Sequence, residues 1–85
     1  MRVTQAQRRS LGRRVIKARK DRGWDQKTLA ERAGLNGGYV SNIEHGVKAP
    51  SLYALHKLRD ALELDDSTWL LWLDGLKPRE KNNAA

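Results

Sequence analysis

The sequence predicts an all-α protein, a compact bundle of five or six helices. Apolar residues recur at three- and four-residue spacing, and no segment has the strict alternation of a half-buried strand. Capping residues and glycines divide the chain into short helical segments. With 85 residues the chain is long enough for one small domain, and without cysteine it has neither disulfides nor cysteine-ligated zinc.

The first helix has clear sequence boundaries. Thr4 and Gln7 form a capping-box pattern that starts the helix, and Gly23 ends it just after Arg22. The residues predicted to face inward are Leu11, Val15, Ala18 and the stem of Arg22. The residues predicted on the opposite side are all basic: Arg9, Arg13, Lys17 and Lys20.

Two short helices follow, joined by a tight turn. Asp25 is a good N-cap for helix 2, and Asn36 is a good N-cap for helix 3, which runs to about His45 before Gly46. Gly34 lies where the chain must turn sharply, and glycine takes a positive φ there without steric cost. The inner positions are predicted to be Leu29, Ala30, Ala33, Leu35, Val40 and Ile43.

The second half of the chain predicts two more helices. Ser51 caps helix 4, whose apolar stripe is Leu52, Leu55, Leu58 and Leu62. Asp65 caps a last helix from Asp66 to Asp74, closed by Gly75. We therefore expect one domain over residues 1–76 and a disordered polar tail over residues 77–85.

The net charge of +7 is unevenly distributed. Residues 1–50 carry twelve Lys and Arg against four acids, a net +8, whereas residues 51–85 carry five against six, a net −1. A basic surface on one half is typical of a protein that meets a polyanion on one face. A merely solvated basic helix is the alternative.

Residues 11 to about 64 resemble the phage-repressor/Cro-type helix-turn-helix domain, also called the xenobiotic-response-element (XRE) family. The matching residues are Leu11-Gly12, Arg19, Gly23, Asp25-Gln26, Leu29-Ala30, Ala33-Gly34-Leu35, Tyr39-Val40-Ser41, Ile43-Glu44, Gly46 and Pro50-Ser51-Leu52. The resemblance implies a lambda-repressor-like bundle in which helices 2 and 3 form the helix-turn-helix. It also implies a DNA-binding transcriptional regulator whose third helix enters the major groove.

The resemblance assigns DNA phosphate contacts to four residues. Gln26 begins helix 2, where free backbone N–H groups favour anions, and Lys27 follows it. Tyr39 resembles a position that often reaches the phosphate backbone, and Lys48 lies in the loop after helix 3. The alternatives are a generic first-turn glutamine, a tyrosine packed at the domain rim and an ordinary solvated lysine.

The residues that resemble the family's base-contacting positions are Gly37, Gly38, Ser41 and Asn42. This departs from the usual pattern, because glycines have no side chain to donate or accept. Asn42 has the amide that pairs with adenine, and Ser41 suits several bases. The glycines either permit close approach to the groove, with DNA shape adding specificity, or only form a flexible helix start.

Arg19 and Glu44 are similar to a pair that forms a partly buried salt bridge between helices 1 and 3 in this family, so we expect a structural role for them. The last helix is apolar on nearly every side, and its residues 66–76 are predicted to mediate dimerisation. The interface residues predicted are Trp69, Trp72 and Leu76. The alternatives are core sealing alone, for which Trp69 and Leu73 are candidates, and a different protein partner.

No catalytic, cofactor-binding or metal-ligating constellation is present, since His45 and His56 are isolated, so we do not expect an enzyme. We expect a cytoplasmic, nucleoid-associated protein that binds double-stranded DNA as a homodimer and represses transcription at an inverted repeat. The sequence leaves open whether the protein also binds another protein, whereas it shows no sign of membrane association or of a small-molecule effector. The alternative functions are a DNA-binding antitoxin with a toxin partner and a nonspecific architectural DNA binder.

Overall fold

Five helices follow one another along the chain and are joined by short turns. In this computed structural model, which describes residues 3–78, they are α1 (Gln5–Asp21), α2 (Gln26–Ala33), α3 (Gly37–Glu44), α4 (Leu52–Leu62) and α5 (Asp66–Asp74). No strand occurs in this part of the chain, so the all-α prediction is confirmed. No helix within residues 3–78 is long and apolar enough to cross a membrane.

Every helix begins at the capping residue that the sequence predicts. Each N-cap is extended, and its side-chain oxygen accepts a backbone N–H from the first turn; the five caps are Thr4, Asp25, Asn36, Ser51 and Asp65. At α1 the capping box is complete, since the Gln7 amide N–H donates to Thr4 Oγ1 at 3.0 Å and the Thr4 N–H donates to Gln7 Oε1 at 2.8 Å. The helix starts are therefore local properties of the sequence.

Two glycines with positive φ set the turns around α2. Gly23 has φ +74°, and the N–H groups of Gly23 and Trp24 donate back to the last turn of α1, as in a Schellman motif. Gly34 has φ +67° and ends α2, while the Leu35 N–H donates to the Ala30 carbonyl at 2.9 Å. These turns bring α2 and α3 against each other.

A single apolar core receives side chains from all five helices and from the segment after α5. Its buried members are Leu11, Val15, Leu29, Ala30, Ala33, Val40, Ile43, Leu55, Leu58, Leu62, Trp69, Trp72 and Leu76. Ala18, Leu35 and Leu73 are partly buried against it. The inward positions predicted for α1, α2 and α3 are therefore confirmed, except that Arg22, just after α1, is exposed and lies outside the core.

The predicted roles of several apolar residues in α4 and α5 are wrong. Leu52 is 65% exposed because it begins α4, beyond the edge of the core. Trp69, Trp72 and Leu76 are buried within the chain, because the two tryptophans lie three apart on the side of α5 that faces the core and Leu76, just after the helix, packs beside them. They therefore complete the core and do not form an exposed interface.

The exposed apolar residues of α5 are Leu70 and Leu71, which are 63% and 53% exposed. They lie beside Leu73, Lys77 and Pro78 around an open depression on the outer side of the helix. Of the tail predicted over residues 77–85, only Lys77 and Pro78 belong to the described part of the chain.

Gln7 joins the beginning of α1 to the segment that follows α5. Its side chain is buried, and its Nε2 group donates to the carbonyls of Gly75, at 3.1 Å, and Lys77. Two carbonyls at the end of α5 thereby obtain donors that the helix itself does not supply. The contact fixes α5 against α1.

Gly12 sets how closely α1 approaches the end of α3. It is buried, and a Cβ built on it would lie 2.7 Å from the Ile43 carbonyl oxygen and even closer to that of Glu44. Because the obstructing atoms belong to the backbone, no rotation of a side chain can relieve the contact. The absence of a side chain at position 12 is therefore required for this packing.

We expect Gly12→Ala to destabilise the fold by about 1–3 kcal/mol, the usual range for overpacking, although alanine is the better helix former. Arg13→Ala, at the exposed neighbouring position, is the matched control and should change stability by less than about 0.5 kcal/mol. Urea denaturation of both variants measures the difference. A Gly12→Ala protein as stable as the wild type would contradict the close packing.

Candidate nucleic-acid interface

The α2–α3 pair presents the N-terminal turns of both helices with their caps formed. The Asp25 carboxylate accepts the Thr28 N–H at 2.8 Å, and this bond lowers the pKa of Asp25 below its ordinary value. The Asn36 side chain accepts the Gly38 N–H at 2.8 Å. Both first turns are therefore ordered before any ligand is present.

The Glu44 carboxylate connects all three N-terminal helices. Arg19 of α1 donates to it twice, from Nε to Oε2 at 2.6 Å and from a terminal nitrogen to Oε1 at 3.0 Å. Gln26, the first residue of α2, donates from Nε2 to Oε1 at 2.7 Å. One buried carboxylate at the end of α3 thus fixes the positions of α1 and α2 relative to α3.

Arg19 is itself held from several sides. Its side chain is 13% exposed and that of Glu44 is 1% exposed, so the ion pair is nearly excluded from water. The hydrogen bonding that Arg19 donates to the Glu44 carboxylate is the main cause that raises the pKa of Arg19 above its usual value. Arg19 also donates to the Trp24 carbonyl at 3.1 Å, which ties down the turn before α2.

Tyr39 links α3 to the start of α4. Its hydroxyl oxygen accepts the Ser51 backbone N–H at 3.0 Å, and its ring is half-buried against the core. The hydroxyl proton is not used in this bond, so it is free to be donated to an acceptor such as a phosphate oxygen. No sequence pattern predicts the bond to Ser51, because twelve residues separate the two groups.

The residues expected to meet bases lie on the outer side of α3. Gly37, Gly38 and Asn42 are exposed, and Ser41 is half-buried. The Ser41 hydroxyl lies 3.3 Å from His45 Nδ1, and the Ser41 carbonyl lies 2.8 Å from the same nitrogen. Ser41 is therefore already engaged, whereas Asn42 leaves its side-chain amide exposed.

Neither glycine at the start of α3 is demanded by packing. A Cβ built on Gly37 would have no heavy atom within 4 Å, and one built on Gly38 would meet only the Asn36 side-chain oxygen, at 3.1 Å. Both have ordinary helical conformations, so no positive φ requires glycine. The fold alone thus does not explain either residue.

Lys27 and Lys48 are exposed, and Gln26 is half-buried because its amide donates a hydrogen bond to Glu44.

The turn after α3 depends on Arg8, a residue that sequence reasoning missed. Arg8 Nε donates to the Gly46 carbonyl at 3.0 Å. Its position four residues before Gly12, on the same side of α1, is the one signal in the sequence that indicates this role.

No group of three or more potential metal ligands occurs among residues 3–78. The exposed surface of α2, α3 and the loop to α4 instead combines backbone N–H groups, a tyrosine hydroxyl, an amide and lysines. These are groups that contact phosphates and base edges in nucleic acids.

Comparison with known proteins agrees with this geometry. Residues 15–69 match the helix-turn-helix family. The HTH-type transcriptional regulator SinR of Bacillus subtilis is 34% identical over 61 residues, which cover 71% of this chain and 55% of that protein, and SinR of Bacillus licheniformis gives the same values. The chain thus spans about half the length of these curated relatives.

Two solved structures have the same fold. The restriction-modification controller protein C.AhdI from Aeromonas hydrophila superposes with a TM-score of 0.71 at 33% identity, covering 75% of this chain and 97% of that one. The clp gene regulator ClgR from C. glutamicum gives a TM-score of 0.69 at 28% identity, and the match covers 87% of this chain and 96% of that one.

The chain belongs to the helix-turn-helix family of DNA-binding proteins, in the Cro-type or XRE group that its sequence resembles.

We expect Glu44→Gln to lower the free energy of unfolding by about 3–5 kcal/mol, because the Arg19 guanidinium is then left nearly buried without its counter-ion. Asp21→Asn is the matched control: it breaks the Lys17–Asp21 pair on α1, whose side chains are 77% and 63% exposed. That change should cost less than about 1 kcal/mol. Equal losses in urea denaturation would contradict the special role of the buried pair.

Proposed function

We propose that the protein is a sequence-specific DNA-binding transcriptional regulator that places α3 in the major groove of DNA. One observation carries the proposal: α3 has a fully buried inner side and an exposed outer side. The inner residues are Val40 and Ile43. The outer residues, whose side chains take no part in folding, are Gly37, Gly38 and Asn42. A helix held in this way can meet a groove without rearrangement. Repression then follows from occupation of promoter DNA.

The phosphate contacts are assigned to Gln26, Lys27, Tyr39 and Lys48. Gln26 uses one N–H of its amide to bind Glu44 and retains a second N–H, and Tyr39 retains its hydroxyl proton. Lys27 and Lys48 are exposed and add charge. Because these contacts release counter-ions, DNA affinity should fall steeply as salt rises.

Base reading is assigned to the outer side of α3. The Asn42 amide matches the donor and acceptor that adenine presents in the major groove. Ser41 makes a weaker contribution, since its hydroxyl already lies beside His45. Gly37 and Gly38 allow the first turn of α3 to approach the base edges or thymine methyl groups closely.

Selection from a randomised DNA pool near 150 mM salt tests the function directly. We expect enrichment of an inverted repeat with half-sites centred about 34 Å apart, as a two-fold dimer requires. Asn42→Ala should relax the preference at one base pair by about 1–3 kcal/mol while leaving nonspecific affinity nearly unchanged. Retention of DNA without enrichment would instead indicate architectural binding.

We expect Gly37→Ala to separate stability from DNA binding. The added Cβ meets nothing in the chain, so the variant should be as stable as the wild type or up to about 1 kcal/mol more stable. Its affinity for the selected site should nevertheless fall, because the new methyl group occupies the space of close approach. Thermal denaturation and a fluorescence-anisotropy titration measure the two effects, and unchanged affinity would remove Gly37 from the interface.

Dimerisation is proposed through the outer side of α5. Leu70 and Leu71 replace Trp69, Trp72 and Leu76 as the residues that make the contact, since only the former are exposed. Pairing this surface with its copy removes exposed leucines from water and positions two α3 helices on one face of DNA.

We expect Leu70→Glu with Leu71→Glu to yield a folded monomer in sedimentation velocity, because charges on the interface prevent its burial. The matched control is Leu52→Glu with Tyr53→Glu, an adjacent pair on α4 that is somewhat more exposed. The control should remain dimeric. A dimer that survives both changes on α5 would place the interface elsewhere.

A further inference from the structure

A groove between α1 and α5 is unconnected with the surfaces considered so far. It has a volume of about 470 Å³ and is open to solvent along one side. Its apolar lining residues are Ala18, Leu62, Leu64 and Trp72. Leu62 is fully buried and Trp72 is 3% exposed, so the apolar surface that a molecule in the groove can contact belongs mainly to Ala18 and Leu64, which are half-buried.

The rim of the groove is basic. Arg14 and Lys17 of α1 and Arg22, the residue after it, line the groove together with one acid, Asp21. Asp21 is paired with Lys17 at 3.0 Å, which leaves the charges of the two arginines in excess, and Arg22 also donates to the Leu62 carbonyl. Arg14 and Arg22 are eight residues apart, about 12 Å along the direction of the helix, with Ala18 midway between them.

We propose that this groove binds a small anionic amphiphile, a molecule with a carboxylate or similar head and an alkyl or aryl body. The volume lies within the range of about 300–1,000 Å³ found for small-molecule sites, which are mostly apolar with a few fixed polar groups. The body packs on Ala18 and Leu64, above the edge of Trp72, and the head pairs with Arg14 or Arg22. Charge complementarity selects an anion over a neutral or cationic amphiphile.

The groove is separate from both proposed interfaces. None of its residues belongs to the DNA-facing set of α2, α3 and the following loop, and none lines the depression beside Leu70 and Leu71. A ligand can therefore bind to the dimer and to the DNA complex alike. The inference does not depend on the proposed DNA function, and it is tested on free protein.

The test is calorimetric titration of the full chain with sodium decanoate, and with decylammonium as the probe of opposite charge. We expect decanoate to bind with a Kd below about 1 mM and decylammonium at least about tenfold more weakly. In ¹H–¹⁵N spectra, the indole signal of Trp72 should shift, whereas that of Trp69, which does not line the groove, should move less. Equal binding of the two amphiphiles would overturn the proposal.

Matched substitutions on α1 locate the site. Arg14→Gln should weaken decanoate binding about fivefold, whereas Lys20→Gln, an exposed change outside the groove, should leave it unchanged. Ala18→Glu should abolish decanoate binding, because it places a negative charge where the anionic ligand binds. Circular dichroism shows whether the Ala18→Glu protein remains folded. If that protein does not fold, the effect of Arg14→Gln on decanoate binding tests the site. Equal effects of Arg14→Gln and Lys20→Gln would overturn the site. So would a changed sedimentation mass in Arg14→Gln, which would make the groove a subunit contact.

Discussion

The arrangement of the N-terminal helices depends on a single carboxylate. Glu44 is the last residue of α3, and its two oxygens accept hydrogen bonds from Arg19 of α1 and Gln26 of α2. A buried carboxylate requires these donors, because an unpaired charge in the core is strongly unfavourable. Helix α3 therefore cannot tilt relative to α1 or α2 without breaking a charged hydrogen bond. This rigidity is what presents the outer side of α3 in a fixed direction.

The same network connects folding to the proposed DNA contacts. Gln26 is both a donor to Glu44 and a candidate phosphate ligand, so the carboxylate positions the amide that would meet DNA. Tyr39 has a similar double role, because its hydroxyl holds the Ser51 N–H and retains a proton for an acceptor. Orientation of contacting groups before binding reduces the entropy lost when DNA is bound.

Much of the fold could be predicted from the sequence because its signals are local. The five N-caps and the turn at Gly34 each depend on one residue and its immediate neighbours, and all of them occur as expected. The orientation of α5 could not be predicted in the same way. Its sequence WLLWL is apolar on nearly every side, so periodicity does not indicate which side is buried.

Contacts between distant segments were likewise beyond the reach of the sequence. The groove between α1 and α5 combines residues from three segments, and none of them carries a motif. The bond between Tyr39 and Ser51 depends on the path of the loop, which periodicity does not describe. For the residues proposed to contact bases, the resemblance supplied the positions, and the structure adds that Ser41 is engaged while Gly37 has open space around it.

The contact between Gln7 and the carbonyls of Gly75 and Lys77 has a consequence for the order of folding. It joins groups 68 and 70 residues apart, whereas the α2–α3 contacts are local. Closing so long a loop is slow, so α5 is expected to dock after the helix-turn-helix has formed. In native-state hydrogen exchange, the amides of α5 would then open together while those of α2 and α3 stay protected. The helix-turn-helix would keep its shape even in molecules whose last helix is transiently detached.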